Sequence, residues 1–161
     1  MGLYALGHAV SEDMIHWEYL PLALAPSEVY DDHLKGGCFS GSAIEHDGKL
    51  FLIYTGTCNN GNGFEQAQCI AYSEDGIHFE KYEGNPVITA PEGVPTDLFR
   101  DPKVWKHDDT YYVRSVEQAK MDLHRQDCIN RQICSTGNLS MSLQRAEANG
   151  AICGSARIFI R

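Results

Sequence analysis

Apolar and polar residues alternate over much of the chain, and the alternation is broken by short turn sequences. Three stretches show it, each centred on one pair of turn residues: 41–56 around Asp47-Gly48, 66–82 around Asp75-Gly76, and 103–113 around Asp108-Asp109. An Asp-Gly pair suits the positive φ angles of a tight hairpin turn. No window of about 12 residues has the apolar spacing of an amphipathic helix. The pattern predicts an all-β chain of antiparallel hairpins.

The sequence also repeats itself. Ser11–Glu18 (SEDMIHWE) matches Ser73–Glu80 (SEDGIHFE) at an offset of 62 residues. Phe39-Ser40-Gly41 and Phe99-Arg100-Asp101 begin similar strand–turn–strand segments at an offset of 60 residues. A period of about 60 residues with several short strands is typical of propeller blades. The repeat predicts about two blades, which are too few to close a propeller and indicate part of a larger domain.

Composition and charge narrow the possible functions. The chain has 161 residues, 43% of them hydrophobic, and a formal net charge of −9 without any Lys/Arg cluster. These features argue against a nucleic-acid surface. No apolar run approaches the roughly 20 residues that cross a bilayer, so we expect no membrane partner. The N-terminus has no basic segment followed by an apolar one, which weakly favours a cytoplasmic location.

The composition changes sharply after residue 113. Residues 1–113 contain 15 of the 16 aromatic residues, whereas 114–161 contain only Phe159. Asp and Glu outnumber Lys and Arg by 18 to six in the first part, but are outnumbered four to seven in the second. A tail with one aromatic residue has little with which to build a core. We expect an irregular tail, either a polar appendage or an aberrant segment.

The six cysteines form no C-x-x-C pair and no Cys/His cluster with zinc-ligand spacing. They are Cys38, Cys58, Cys69, Cys128, Cys134 and Cys153. We predict free, mostly buried thiols, no metal site and no other cofactor.

Four motifs occur in order along the chain: Gly7–Ser11, His16–Pro21, Gly37–Ala43 and Phe99–Val104. Together they resemble glycoside hydrolase family 32, the invertase and fructanase family. The resemblance extends from about Leu3 to Val113. It implies a five-bladed propeller that hydrolyses terminal β-D-fructofuranosides with retention of configuration. The implied partner is a small sugar: sucrose, sucrose 6-phosphate or a fructo-oligosaccharide.

The resemblance assigns roles to four residues. Asp101, in the family's Arg-Asp-Pro motif, corresponds to a carboxylate that stabilises the oxocarbenium-like transition state, and Arg100 beside it to a donor to substrate. Phe39 and Ser40 correspond to the ring and hydroxyl that line the fructose subsite. Because a residue before proline is biased away from helical geometry, we expect Pro102 to hold Asp101 in an extended conformation.

Other residues receive structural interpretations. We expect Trp17 to be a packed core aromatic, since its repeat partner is Phe79. His8, His16 and His78 are expected to make structural hydrogen bonds. The acidic segment Glu28–Asp32 reads as a solvated loop.

Two of the family's catalytic carboxylates have no counterpart in the chain. The nucleophile segment, of Trp-Met-Asn-Asp-Pro-Asn-Gly type, is absent, and no Glu-Cys pair supplies the acid/base. We therefore expect the 161-residue chain to be inactive. A shifted reading frame over Ile152–Phe159 permits Met-Trp-Glu-Cys-Pro-Asp-Phe, which resembles the acid/base segment. The same frame over Asn130–Asn138 permits a third copy of the repeat, which suggests that 114–161 is translated out of frame.

Two alternatives to a fructosidase remain open from the sequence. One is a non-catalytic carbohydrate-binding module built from propeller blades. The other is an arabinanase-type five-bladed glycosidase, against which the Phe-Ser-Gly and Arg-Asp-Pro motifs argue.

Overall fold

The chain is almost entirely β-structure. The computed structural model describes residues 4–32, 36–59, 61, 63–108, 110–118, 126–136, 138–143 and 156–159, with side chains as far as Ser115. Among these residues the only helix is a 3-10 turn at Thr96–Leu98. Accordingly, the described segments contain no helix that could cross a bilayer. The all-β prediction is confirmed.

The described residues form twelve strands in three sheets. The strands are β1 Ala9–Val10, β2 Glu18–Tyr19, β3 Gly37–His46, β4 Lys49–Asn59, β5 Phe64–Ser73, β6 Glu80–Lys81, β7 Ile88–Thr89, β8 Phe99–His107, β9 Thr110–Gln118, β10 Gln126–Thr136, β11 Asn138–Leu143 and β12 Ala156–Phe159. β1 pairs with β2. The second sheet has the order β3-β4-β5-β6, with β7 also on β5, and the third has the order β11-β10-β12-β9-β8. Within the second sheet, β3 to β6 form a four-stranded antiparallel meander, the form of a propeller blade.

Tight hairpin turns occur at two of the three predicted places. Asp47 and Gly48 have φ of +49° and +76°, the signs that a type I′ turn requires. His107 at the end of β8 pairs with Thr110 at the start of β9, and Asp108 has a φ of +52°, while Asp109 lies outside the described residues. Asp75-Gly76 differs, because it lies within a longer loop between β5 and β6.

The two copies of the repeated motif have the same hydrogen bonds. Oδ1 of Asp13 accepts the amides of Ile15 and His16, and its Oδ2 lies 2.6 Å from His16 Nδ1. Asp75 makes the equivalent contacts in the second copy, including one of 2.7 Å to His78 Nδ1. The histidine contact, followed by the backbone amides, holds the pKa of both carboxyls well below its ordinary value. The structural interpretation of His16 and His78 therefore agrees with the geometry.

His8 departs from that interpretation. Its ring packs edge-on against Phe79, with centroids 5.8 Å apart. Both ring nitrogens are buried and have no hydrogen-bond partner among the described residues. His8 contributes a ring contact where hydrogen bonding was expected.

The second sheet is covered on both faces. One face packs on β8 and β9 through a cluster of buried residues: Ile53, Ile70, Val87, Ile88, Phe99, Val104, Tyr111 and Val113. The opposite face packs on the N-terminal segment through Leu24, Cys38, Tyr54, Cys69 and Ala71. The apolar alternation of the central strands therefore buries side chains on both sides, as expected of an internal blade.

The acidic segment is not wholly solvated as predicted. The Asp31 side chain is fully buried and lies 2.6 Å from Lys81 Nζ, which also donates to the Ala25 carbonyl. Asp31 Oδ1 accepts hydrogen bonds from the backbone amides of Ser27 and Glu28. A buried carboxylate needs such partners to offset its desolvation. The prediction overlooked Lys81 because that residue lies 50 positions away along the chain.

The prediction of a packed Trp17 is wrong for the described chain. Its side chain is 55% exposed. The residue precedes β2, which pairs with β1 in a sheet of only two strands. So small a sheet offers little surface to cover a large ring.

The tail also differs from the irregular structure expected. β10, β11 and β12 lie within it, and both β10 and β12 pair antiparallel with β9. An edge strand offers unpaired backbone donors and acceptors that can recruit further chain. Backbone pairing within this sheet accounts for the strands, and the side chains of β10, β11 and β12 lie outside the described residues.

We predict that replacing Gly41 even by alanine destabilises the folded chain. A Cβ at this position would overlap the carbonyl oxygen of Ile53 on β4, so the backbone must shift. Gly41→Ala should lower the free energy of unfolding by about 2 kcal/mol, measured by urea denaturation of the 161-residue chain. Gly7→Ala is the matched control, since an added Cβ there meets no described atom. Equal urea midpoints for the two variants would contradict this packing.

We also predict slow alkylation of two thiols. Burial raises the pKa of Cys38 and of Cys69 to about 12, so almost no thiolate exists at pH 8. Site-resolved mass spectrometry after iodoacetamide treatment should find both cysteines unmodified in the folded chain and modified in urea. The less buried Cys58 should react before either of them. Rapid modification of Cys69 without denaturant would contradict its burial.

Candidate functional site

Two β-bulges define one end of the neighbouring blades. The pairing of β3 with β4 shifts between Phe39 and Gly41, and the pairing of β8 with β9 shifts between Arg100 and Lys103. A bulge leaves extra residues unpaired and redirects their side chains. The two bulges lie at the repeat-equivalent motifs Phe-Ser-Gly and Phe-Arg-Asp, so they bring corresponding parts of successive blades together.

Three of the four sequence-predicted site residues meet at these bulges. Ser40 Oγ lies 3.5 Å from Asp101 Oδ1, and Arg100 Nε lies 3.5 Å from Asp101 Oδ2. The Asp101 side chain is 49% exposed, so its carboxylate is open to a solute. Phe39 is adjacent in sequence, but its ring makes an edge contact with Tyr4 at a centroid distance of 5.2 Å.

Asp101 does not have the extended backbone that Pro102 led us to expect. Its φ is +57°, in the left-handed region. Aspartate tolerates this region better than most residues. The bulge dictates the conformation, because the chain must cross two unpaired residues before β8 resumes its pairing. Strained backbone of this kind is often found at functional sites.

The sequence interpretation missed three residues that contact this bulge. Thr55 Oγ1 accepts the Asp101 amide at 3.1 Å, and Gln68 Nε2 donates to the Phe99 carbonyl at 2.9 Å. Ser42 Oγ donates to the Pro102 carbonyl at 2.8 Å. Thr55 and Gln68 are fully buried. The available signal was the pair of polar residues Thr55 and Gln68, which each continue the alternation of an apolar residue two positions away, Ile53 and Ile70.

A separate cavity lies between the N-terminal segment and the second sheet. It has a volume of about 700 Å³ and a mainly apolar lining that includes His8, Ser40 and Phe79. Neither Arg100 nor Asp101 lines it. The cavity therefore shares Ser40 with the polar cluster, whose charged groups lie on the exposed surface at the ends of the blades.

The cluster is suited to polyhydroxylated solutes. A carboxylate accepts hydrogen bonds from hydroxyl groups, a guanidinium donates them, and Ser40 can do both. The carboxylate also stabilises positive charge that develops nearby. Among the residues with described side chains, no group of three or more His, Cys, Asp or Glu could hold a metal ion.

Two similar curated proteins are a sucrose-6-phosphate hydrolase and a raffinose invertase. The sucrose-6-phosphate hydrolase of Escherichia coli is 49% identical over 112 residues, which are 66% of this chain and 22% of that enzyme. The raffinose invertase of Escherichia coli is 48% identical over the same shares of the two chains. The chain thus spans about a fifth of the length of these curated relatives.

Similar solved structures and a family match agree with these sequence relatives. The sucrose-6-phosphate hydrolase from Lactobacillus gasseri superposes with a TM-score of 0.69 and 35% identity, over 80% of this chain and 25% of that one. A β-fructofuranosidase from Bombyx mori, in complex with sucrose, gives a TM-score of 0.63 and 34% identity over 84% of this chain and 25% of that enzyme. The Glycosyl hydrolases family 32 N-terminal domain matches residues 1–129. The chain belongs to glycosyl hydrolase family 32 and contains part of its N-terminal β-propeller domain.

Proposed function

We propose that the complete protein containing this segment hydrolyses terminal β-D-fructofuranosides. The substrate class is sucrose, sucrose 6-phosphate or a related fructo-oligosaccharide. Family membership supports the proposal, and so do the activities named for the Escherichia coli relatives. The complex of the Bombyx mori enzyme with sucrose supports a sugar as partner.

The observation that carries the proposal is the meeting of Ser40, Arg100 and Asp101 at two successive bulges. Hydroxyl, guanidinium and carboxylate groups from two blades face one exposed point. A fructosyl ring has several hydroxyl groups and can satisfy all three at once. Isolated surface side chains would not supply such a set.

In this site Asp101 binds fructosyl hydroxyls and stabilises the transition state. Retaining hydrolysis proceeds through an oxocarbenium-like state and uses two further carboxyl groups about 5–5.5 Å apart. A fixed anion beside the ring stabilises the positive charge that develops there. Arg100 donates to the substrate and screens Asp101, and Ser40 with Phe39 forms the wall of the subsite.

The two alternatives are less well supported. A carbohydrate-binding module and an arabinanase-type glycosidase both predict relatives of other kinds, whereas the relatives named above are a sucrose-6-phosphate hydrolase and a raffinose invertase. The nucleophile and acid/base have no counterpart in the 161 residues. We therefore propose that the chain alone releases no fructose.

We also propose that residues 114–161 are translated out of frame. The composition shift and the hidden Trp-Glu-Cys segment support this. DNA sequencing is expected to show that the third bases of codons 152–158 permit Met-Trp-Glu-Cys-Pro-Asp-Phe in the shifted frame. Third bases that exclude Trp-Glu-Cys would contradict a frameshift and make the tail a genuine divergent segment.

The role of Asp101 can be tested in a completed enzyme. In it, residues 3–113 of this chain replace the matching segment of the Escherichia coli sucrose-6-phosphate hydrolase. Asp101→Asn should lower kcat by about 100-fold or more, because a charge that stabilises the transition state is lost, with KM changed less than threefold. Fructose release from sucrose and from sucrose 6-phosphate is the measurement.

Asp108→Asn is the matched control. Asp108 is also exposed and also has a positive φ, but it lies at the hairpin turn between β8 and β9. Its replacement should leave kcat within twofold, and the 161-residue chain should be inactive in the same assay. Comparable activity of the Asp101→Asn variant and the completed enzyme would refute the assigned role.

A further inference from the structure

A buried polar layer separates the site from the apolar core between the blades. Thr55 on β4 and Gln68 on β5 are directly paired across the sheet. Ile53 and Ile70 lie two residues away on the same strands and on the same face of the sheet, and they pack on the neighbouring blade. The Thr55 and Gln68 side chains have no exposed surface. Fully buried polar groups at such a position require partners.

The partners are in the backbone of the site itself. Thr55 Oγ1 donates to Gln68 Oε1 at 2.9 Å and accepts the Asp101 amide at 3.1 Å. Gln68 Nε2 donates to the Phe99 carbonyl at 2.9 Å. One continuous hydrogen-bond chain from one blade therefore holds the backbone of the next blade on both sides of Arg100.

Ser42 supports the other flank of the bulge. Its hydroxyl donates to the Pro102 carbonyl at 2.8 Å and accepts the Val104 amide at 2.7 Å. Ser42 also belongs to the preceding blade, on β3. Side chains of that blade thus contact the bulge before and after Asp101.

This support replaces backbone pairing that the bulge has removed. The pairing of β8 with β9 stops at Arg100 and resumes at Lys103, so neither Asp101 nor Pro102 has a partner in that register. A left-handed φ at a residue other than glycine persists only where its surroundings enforce it. The Asp101 amide is held by Thr55, and Thr55 is held by Gln68.

We propose that Thr55 and Gln68 are positioning residues that fix the Asp101 carboxylate through its own backbone amide. The inference rests on the proposed function of Asp101. It assigns catalytic consequence to two residues that cannot touch the substrate, because both are buried behind the site.

The test compares isosteric variants of the completed enzyme. Thr55→Val removes only the hydroxyl and should lower kcat by about 10- to 100-fold with little change in KM, as expected for a misplaced catalytic group. Thr55→Ser keeps the hydroxyl and should stay within threefold of the parent. Thr57→Val is the control, since Thr57 lies two residues along β4, is equally buried, and has no hydrogen-bond partner for its hydroxyl among the described residues.

A double-mutant cycle separates positioning from general stability. If Thr55 acts through Asp101, then Thr55→Val should lower kcat less than threefold once Asp101→Asn is present, because groups that act as a unit are not additive. Full additivity of the two losses would overturn the proposal. So would a Thr55→Val variant within twofold of the parent, or equal losses in Thr55→Val and Thr57→Val. Gln68→Met replaces Thr55→Val if the latter does not fold, with the same expected loss.

A second measurement is independent of the proposed function. In the 161-residue chain, hydrogen exchange of the Asp101 amide should be at least 10-fold faster in Thr55→Val than in Thr57→Val. Equal exchange rates would overturn the inference, because the amide would not depend on the Thr55 hydroxyl. If Asp101→Asn proves fully active, the proposed function fails, and the exchange rates still decide whether Thr55 holds the bulge.

Discussion

The packing of one blade on the next is the interaction on which the other features of this structure depend. Among the described residues no strand pairing joins the second sheet to β8, so the contact is made by side chains that pack on each other or bond to the β8 backbone. His46 Nδ1 lies 2.7 Å from the Tyr111 hydroxyl near the hairpin turns, and the apolar cluster occupies the middle. At the opposite end Thr55 and Gln68 replace apolar contact with hydrogen bonds. The contact therefore changes from apolar to polar as it approaches the site.

This gradient explains how a strained, exposed carboxylate can be held in place. Apolar packing fixes the separation of the two sheets but does not fix the orientation of a backbone segment. Hydrogen bonds are directional, and buried ones are costly to break because the groups left behind lose all partners. The polar end of the contact therefore orients Asp101, and the apolar part supplies most of the stabilisation.

The sequence was sufficient for the regular features. Asp47-Gly48 and Asp108-Asp109 specify tight turns through local backbone preference, and the repeat located the equivalent Phe-Ser-Gly and Phe-Arg-Asp motifs. These features depend on neighbouring residues alone. Ser40 and Asp101 belong to these equivalent motifs, and the structure brings the two motifs of adjacent blades together.

The remaining features depend on distant contacts. Asp31 is buried because Lys81 reaches it from another strand, and nothing in the local sequence indicates that. The rule for residues before proline favoured an extended Asp101, but the bulge and the Thr55 contact override it. The exposure of Trp17 could not be inferred from a repeat partner, because the two copies lie in sheets of different size.

We infer that Asp101, held in its bulge by the preceding blade, binds the fructosyl unit, and a crystal structure of the completed enzyme with fructose bound would test this. We expect an Asp101 carboxylate oxygen about 2.5–3.0 Å from a fructose hydroxyl, with a positive φ at Asp101 and its amide on Thr55 Oγ1. A fructosyl ring bound out of reach of Asp101, or an Asp101 with extended backbone and no contact to Thr55, would contradict it.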